Sequence, residues 1–291
     1  MNKTMKKRRE ISPLYIFLGI ILAAYTIFMF SIIVWGVLNS FKSYPNFHKD
    51  PVGFPSVWQF ENYAKAFLYL EVKIDGVRNN IFDMFLNSIL YAVGGALFSA
   101  LSQCLTAYVC QMFNCKFSKF IIAIVVATLA IPLIGAEAST VVVLNRLGLY
   151  NTLVGVWFLR GYFIGVYFLV FLSAFKSIPT SYREAAMIDG AGNVVITLRI
   201  MLPLIKNIFL TIFLLNFINL WNDYNTALLY MPNYPTVAYG VWYYSGAQDN
   251  ATASIPMKLA GCMLMLLPIL LVFTLFSKRL LDGVAMGGVK E

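Results

Sequence analysis

Long apolar segments alternate with shorter polar ones along this chain of 291 residues. A helix needs ~20 predominantly apolar residues to cross the hydrocarbon layer of a bilayer. Segments that reach or approach this length predict six membrane-spanning helices, near residues 14–38, 84–110, 120–144, 153–175, 204–229 and 259–279. The predicted fold class is therefore an all-α integral membrane protein.

The composition supports this class. Hydrophobic residues make up 60% of the chain and charged residues only 12%, whereas about 25% of a typical soluble domain is charged. The first apolar run is longer than the ~7–15-residue core of a cleaved signal peptide, so we interpret it as an anchor.

The positions of Lys and Arg predict the orientation, because cationic residues are retained on the cytoplasmic side of a membrane. Most of them fall on one side if both termini are cytoplasmic. We therefore predict a cytoplasmic tail 1–13, a transmembrane domain 14–281 with an outside loop 39–83 and an inside loop 176–203, and a cytoplasmic tail 282–291. The net charge of +9 then reflects topology and contact with anionic lipid. No basic patch on a soluble fold points to nucleic acid.

Several catalytic and binding motifs are absent. The chain has no G-x-x-x-x-G-K-[ST], no G-x-S-x-G and no H-E-x-x-H, and His48 is its single histidine. The four cysteines lack the close pairs and partner ligands of a zinc site. We therefore predict that the chain is not an enzyme and holds no metal or nucleotide cofactor.

The inside loop is the most informative segment. Ser181 and Glu184 have the S-x-x-E spacing of a capping box, which predicts a short helix beginning there. Gly190 and Gly192 end that helix, and a second amphipathic piece follows before Pro203, which suits the first turn of the next span. The loop is predicted to be a helix–turn–helix at the cytoplasmic face.

This loop resembles the EAA loop of ABC-importer permeases. The matching residues are Glu184, Ala185, Ala186, Asp189, Gly190, Ala191, Leu202 and Pro203. Other strings resemble the carbohydrate (maltose-type) permeases: Trp221-Asn222-Asp223-Tyr224, Ser245-Gly246-Ala247, and the tail from Gly283 to Lys290. The resemblance covers roughly residues 14–291 and is closest to the shorter, six-span permease of the pair. Lys206-Asn207 departs from the second proline of the family, and the loop 39–83 is long for this subunit.

The resemblance implies a function and a set of partners. The chain is expected to be the permease subunit of a binding-protein-dependent sugar or oligosaccharide importer in a bacterial inner or plasma membrane. A second homologous permease, a cytoplasmic ATPase dimer and an extracellular solute-binding protein are the implied partners, and the ATPase binds ATP and Mg. Glu184 is implied to pair with a basic residue of the ATPase, with Ala185 and Ala186 on the floor of its cleft. A purely local role of Glu184 in its helix is the alternative.

Polar residues within the predicted spans are candidates for a sugar pathway. Asn216, Asn219 and Asp223 have the i, i+3, i+7 spacing of one helix face, and Gln103 lies in the second span. Such residues face the bundle interior or a water-filled path, or they join helices by hydrogen bonds. Both interpretations stay open for these residues.

Aromatic residues near the outer ends of the spans are a second set of candidates. Trp221 and Tyr224 are of a type that stacks on sugar rings, although span-end aromatics also form the interfacial belt. The last outside loop adds Tyr239, Trp242, Tyr243 and Tyr244, which face a sugar, the binding protein or the belt. Pro132 predicts a kink in the third span near Glu137.

Two other functions compete with the importer. A membrane-embedded enzyme that processes lipid or glycan needs clustered acids or histidines, whereas Glu137 and Asp223 are isolated in the sequence. An ion-coupled secondary transporter favours paired charges at mid-membrane and inverted repeats, and the sequence displays neither.

Overall fold

The computed structural model describes residues 13–69, 71–113, 116–131, 135–163, 165–246 and 254–287. Residues 1–12, Pro132, Ala247 and 288–291, on which some of the predictions fall, lie outside the described residues. The described part is mostly helical. Its helices are α1 (Pro13–Ser40), α2 (Tyr44–Lys49), α3 (Glu61–Tyr69), α4 (Ile81–Met112), α5 (Lys116–Ala130), α6 (Glu137–Arg146), α7 (Leu153–Arg160), α8 (Val166–Lys176), α9 (Ser181–Ile188), α10 (Asn193–Ile196), α11 (Leu202–Leu204), α12 (Lys206–Trp221), α13 (Asn225–Tyr230), α14 (Val237–Gly246) and α15 (Ile255–Gly287).

Three described helices are long and apolar enough to cross a bilayer: α1, α4 and residues 255–272 of α15. They coincide with the predicted first, second and sixth spans. A fourth candidate is bent: α10, a π-helical turn (Thr197–Met201) and α11 meet α12 at 74°. The membrane-type, all-helical character predicted from composition is present in these segments.

The predicted third, fourth and fifth spans are each interrupted. The third comprises α5 and α6, the fourth comprises α7 and α8, and the fifth comprises α12 and α13. Helix α7 ends before Gly161, and α8 begins after Gly165. Each interruption leaves backbone N–H and C=O groups without a helical hydrogen-bond partner. Where such groups are buried, another part of the protein has to bond to them.

One compact unit comprises residues 1–67 and 248–264. In its described part, α1 leads into an ordered segment that contains α2. The Asn62 amide donates to the carbonyls of Ser40 and Lys42, 2.8 Å in each case, and the Ser40 and Tyr63 hydroxyls lie 2.7 Å apart. The buried Lys42 ammonium donates to the Asp50 carbonyl at 2.6 Å. The segment after α1 therefore begins with a folded cap on the end of that helix.

The other unit comprises residues 68–247 and 265–291. It opens with a short antiparallel hairpin of β1 (Val72–Ile74) and β2 (Val77–Asn79). Helix α4 follows, and a reciprocal capping box between Asn80 and Asp83 fixes its start. With 32 residues it is about 48 Å long at ~1.5 Å per residue. Helices α5, α7, α8, α12 and α14 pack against it.

Two clusters of buried apolar side chains form the core of this second unit. One joins α4 to α8, α9 and α12 and includes Ala100, Phe168, Phe171, Ala186 and Ile212. The other joins α4 to α7, α12 and α13 and includes Tyr91, Ala96, Val156, Trp221 and Met231. Both clusters use small residues of α4, which let its neighbours approach closely, as is typical of helix packing in membranes.

Gly94 is the tightest of these contacts. A Cβ placed on Gly94 would lie 2.2 Å from the indole of Trp157 on α7, closer than any real contact. The Trp157 indole N–H also donates to the Leu90 carbonyl at 3.1 Å. The absence of a side chain at residue 94 is therefore what lets α7 pack on α4.

Candidate functional site

Helix α9 and the turn at its C-terminus lie within residues 176–203, the segment that resembles the EAA loop. The Ala191 N–H donates to the Ala186 carbonyl at 2.9 Å, and the Gly190 N–H donates to the Met187 carbonyl at 3.1 Å. Gly190 has a φ of +81°, in the left-handed region that glycine enters without a Cβ clash. These features define a Schellman motif, so the predicted glycine turn is confirmed.

The predicted capping box is wrong. Ser181 is the first helical residue, and the N-cap is Thr180, whose side chain makes no capping bond. The Glu184 N–H donates to the Thr180 carbonyl at 3.0 Å, which is an ordinary helical bond. Because a box needs its serine outside the helix, Glu184 has no reciprocal partner there. Its carboxylate instead lies in the first turn, where a negative charge favours the helix dipole.

The predicted coupling residues divide into two groups. Glu184, Ala185, Asp189 and Gly190 are exposed. Ala186 is 7% exposed and packs into the core with the half-buried Ala191. Ala186 thus anchors α9 to its own protein, and its role at an ATPase cleft stays a prediction.

Large apolar side chains close to the two acids in the sequence are exposed as well. Ile188 is 86% exposed, and its neighbours in this patch are Tyr182, Met187, Val194 and Leu198. Apolar groups of this size on a loop mark a surface for another protein or for lipid. The patch and the two acids together define the α9 surface.

The polar residues of the predicted fifth span do not share one helix face. Asn216 and Asn219 lie on α12, but α12 ends at Trp221 and Asp223 lies in the break before α13. The i, i+3, i+7 prediction fails because the Asp223 carboxylate accepts from the Thr226 N–H at 3.1 Å, which favours a turn over a continuing helix. Asn216 is half-buried and donates to the Ile212 carbonyl, whereas Asn219 is exposed.

Asp223 lies at the centre of a cluster of four polar residues, itself included. Its Oδ2 accepts from the Arg160 guanidinium at 2.5 Å, from the Tyr91 hydroxyl at 2.8 Å and from the Thr226 hydroxyl at 2.6 Å. Arg160 also donates to the oxygens of Tyr91, at 3.0 Å, and Thr226, at 2.5 Å. We call these four residues the Arg160 cluster. It joins α4, the end of α7 and the break between α12 and α13.

Sequence patterns alone do not identify the hydrogen-bond partners of Asp223. Tyr91 and Thr226 are ordinary span residues, and neither pattern nor charge marks them. Arg160 is the single charged residue between residues 153 and 175. A signal existed, since Asp223 is the single charged residue between residues 207 and 229, and charges of opposite sign pair inside membranes.

Gln103 has a structural role in the same unit. Its side-chain oxygen accepts from the Phe168 N–H at 3.0 Å, and its amide donates to Ser99 at 3.0 Å. Phe168 is the third residue of α8, and its N–H also donates to the Gly165 carbonyl at 3.2 Å. Gln103 therefore adds a second acceptor for an N–H of the first turn of α8, where the usual helical acceptors are missing. Gln103 is 2% exposed and is therefore not available to a substrate in this conformation.

The two predicted stacking residues have different surroundings. Trp221 is 2% exposed, packs on Phe217 and Phe85, and donates its indole N–H to the Met265 carbonyl at 3.3 Å. Tyr224 is exposed and lies parallel to Trp242, with ring centroids 5.5 Å apart and planes at 9°. Of the two, only Tyr224 presents a ring to its surroundings.

Comparison with known proteins supplies the family context. No protein-family model matches the chain. It is 29% identical over 257 residues to the diacetylchitobiose uptake system permease protein NgcG of Streptomyces coelicolor, covering 87% of this chain and 82% of that one. It is 28% identical to the probable starch degradation products transport system permease protein AmyC of Thermoanaerobacterium thermosulfurigenes, over 99% and 100% of the two chains.

Two further comparisons agree. The lactose transport system permease protein LacG of Rhizobium radiobacter is 25% identical and covers 97% of this chain and 98% of its own. A solved bacterial ABC transporter involved in the import of the acidic polysaccharide alginate superposes with a TM-score of 0.76 at 19% identity, over 94% of this chain and 99% of that one. The chain shares that fold, and the predicted resemblance to sugar ABC-importer permeases is confirmed.

Proposed function

We propose that this chain, a homologue of the permease subunits of sugar ABC transporters, is the membrane-spanning subunit of an ATP-driven importer. Its substrate is a sugar or oligosaccharide that a solute-binding protein delivers. The chain itself is not an enzyme, and its relatives are named as permeases. The observation that carries the proposal is the exposed α9 surface, with two acids beside large apolar side chains.

In the proposed topology six spans cross the membrane, with both termini in the cytoplasm and α9 in the cytoplasmic loop 176–203. The third, fourth and fifth spans are the interrupted ones. The positions of Lys and Arg support this orientation, and the three long apolar helices are compatible with it. The location that follows is a bacterial inner or plasma membrane.

The α9 surface is the proposed docking site for a cytoplasmic ATPase. Glu184 and Asp189 offer carboxylates that pair with basic residues of the partner, and Ile188 offers an apolar side chain that enters its cleft. Ala186 and Ala191 hold α9 on its own core, so movement of the docked helix is transmitted to α8 and α12. Gly190 and its turn keep α9 short and rigid.

The proposed complex contains a second, homologous permease and an ATPase dimer, which binds the ATP and Mg. ATP drives the cycle only if the closed dimer binds it better than the open one. Closure then moves two docked helices together, and the spans change from inward- to outward-facing. Each permease supplies one helix to that movement.

The sugar pathway is proposed to use the candidate residues that are free to meet a ligand. Asn219 and Tyr224 are exposed, and Asn216 is half-buried on the same unit. Gln103, Trp221 and Asp223 are engaged in contacts within the protein. We therefore assign the last three to contacts within the protein and not to contact with the sugar.

An ion-coupled secondary transporter is the second candidate, because Arg160 and Asp223 form a partly buried charge pair of the kind that this class uses. A requirement for the ATPase separates the two candidates. Uptake by the chain without an ATPase, driven by an ion gradient alone, would establish the second candidate and contradict the first.

The direct test of docking is Glu184→Lys, with Glu137→Lys as the matched control. Both glutamates are exposed and lie in the first turn of a helix, so each change has the same cost against the helix dipole. We expect Glu184→Lys to abolish co-purification of the ATPase and uptake, with normal membrane insertion. Glu137→Lys is expected to keep both. Full uptake by Glu184→Lys would contradict the proposed coupling.

A further inference from the structure

The break between α12 and α13 is fixed far more firmly than a loop between two helices requires. Asp223 accepts three hydrogen bonds on Oδ2 and one on Oδ1. Tyr91 is fully buried, and Thr226 is 4% exposed. A break whose carboxylate accepts four hydrogen bonds has little freedom to move, so the residue that follows Asp223 has a defined position.

That residue is Tyr224, and its ring is open to the surroundings. It is 39% exposed and lies parallel to the 40%-exposed Trp242 of α14. Tyr239 packs on Trp242 at 5.7 Å and on Tyr243 at 6.2 Å. The four rings form a continuous aromatic surface, anchored at one end by the Arg160 cluster.

The partly buried pair of Arg160 and Asp223 has an energetic cost, because both charged side chains lose contact with water. Replacing a buried ion pair by apolar residues of similar volume is often neutral or stabilising. A bundle that needed only cohesion would not require Arg160 and Asp223. The pair instead gives directional contacts, which specify one geometry for the break, as apolar packing alone does not.

We propose that Tyr224 and Trp242 form a carbohydrate-binding surface, and that Arg160, with Tyr91 and Thr226, positions it through Asp223. The inference rests on the proposed function, because it names the contact that a transported sugar makes on this subunit. Sugar rings have an apolar C–H face, which flat aromatic side chains bind, while nearby polar groups set the orientation. Arg160 and Asp223 do not contact the sugar in this assignment.

The test uses the assembled complex of this chain with its partner permease, ATPase and solute-binding protein, in proteoliposomes loaded with ATP. The probes are radiolabelled raffinose, lactose and diacetylchitobiose. We expect Tyr224→Leu and Trp242→Leu to raise the apparent KM of the transported probe by about tenfold, the equivalent of one stacking contact, with the maximal rate retained. Trp242→Phe keeps an aromatic ring and is expected to change the KM by less than about threefold.

A matched control is Trp58→Leu, which removes an exposed tryptophan that also has an aromatic neighbour, Phe41. Its KM is expected to be unchanged. If Tyr224→Leu and Trp242→Leu also leave the KM unchanged, the rings are only an interfacial belt and the proposal is wrong.

The positioning role has its own test. Arg160→Met and the near-isosteric Thr226→Val are expected to raise the KM in the same direction as Trp242→Leu. A lower maximal rate at unchanged KM in Thr226→Val would indicate a purely structural cluster and overturn that part. Import of a probe by the unaltered complex without ATP would contradict the proposed function, and the inference with it.

Discussion

Asp223 and Glu184 are carboxylates of the same unit with opposite surroundings. Asp223 accepts hydrogen bonds from three other side chains within 2.8 Å. Glu184 is exposed, and no hydrogen bond or ion pair of its side chain is found within the described residues. The first is satisfied inside its own protein, whereas the second has its charge available for something else.

The two surroundings indicate different roles for polar residues in this protein. A fully satisfied group inside the bundle fixes geometry, because any other arrangement leaves a buried group unpaired. An exposed group beside apolar side chains stabilises its own fold little, so its role lies in contact with a partner. Changes at the Arg160 cluster should therefore affect stability, and changes at the α9 surface should affect assembly.

The largest expected effect is that of Arg160→Met, which leaves Asp223 charged without its partner. We expect destabilisation by about 3 kcal/mol, at the lower end for breaking a buried pair because both side chains keep some exposure. The midpoint of thermal unfolding in detergent measures it. Glu184→Gln is the comparison, with an expected change within about 0.5 kcal/mol. Equal midpoints for both variants would remove the distinction between the two regions.

Gly94→Ala is next in size and tests the packing that brings Arg160 to the cluster. Its Cβ collides with Trp157, and overpacking of this kind costs about 2 kcal/mol. The double variant Gly94→Ala/Trp157→Leu removes the obstructing ring, so the two effects should be strongly non-additive in the same unfolding assay. Additive effects would contradict the proposed close approach of α7 and α4.

Two tyrosines of α4 offer a matched pair of hydroxyl deletions. Tyr91→Phe removes a donor to Asp223, and we expect a loss of about 1.5 kcal/mol, at the upper end for bonds between membrane helices. The Tyr108 hydroxyl is buried and has no hydrogen-bond partner among the residues that the structure describes, so Tyr108→Phe should be neutral or stabilising. Thermal unfolding of the two variants side by side checks this. A smaller loss for Tyr91→Phe than for Tyr108→Phe would be the contrary result.

The smallest effect on stability is expected in the loop itself. Gly190→Ala places a Cβ at a φ of +81°, which costs about 1 kcal/mol and distorts the end of α9. Gly192→Ala meets no atom within 4 Å, and Gly192 has a φ of −71°. We expect weaker ATPase binding for Gly190→Ala than for Gly192→Ala in a co-purification assay, and an unfolding midpoint that is lower by only about 2–4 °C. Equal binding would show that the turn does not set the docking geometry.

Local patterns were good predictors of some parts of this protein. The three long apolar helices, the short helix 181–188 and the glycine turn after it follow from composition, propensity and backbone conformation. These features depend on residues that are neighbours in the chain, and the physical rule for each acts over a few residues. The resemblance of the loop to the EAA loop rests on the same local string.

The roles of the candidate side chains did not follow from local patterns. Gln103 satisfies the start of a helix 65 residues away, and Asp223 pairs with Arg160 across 63 residues. Periodicity placed Asp223 on a helix that in fact ends before it. Residue type also predicted the same sugar-stacking role for Trp221 and Tyr224, although only Tyr224 is exposed.

The sequence by itself determined that this chain is a helical membrane protein, where its apolar segments lie, and that one polar loop carries a short, glycine-ended helix. Tertiary structure alone decided which polar residues are partners, which face of α9 is anchored, and which aromatic rings remain exposed. The physical reason is that hydrophobicity and helix propensity act on single residues and their neighbours. Hydrogen bonds between distant segments depend on how the helices pack, and that is settled only when the chain has folded.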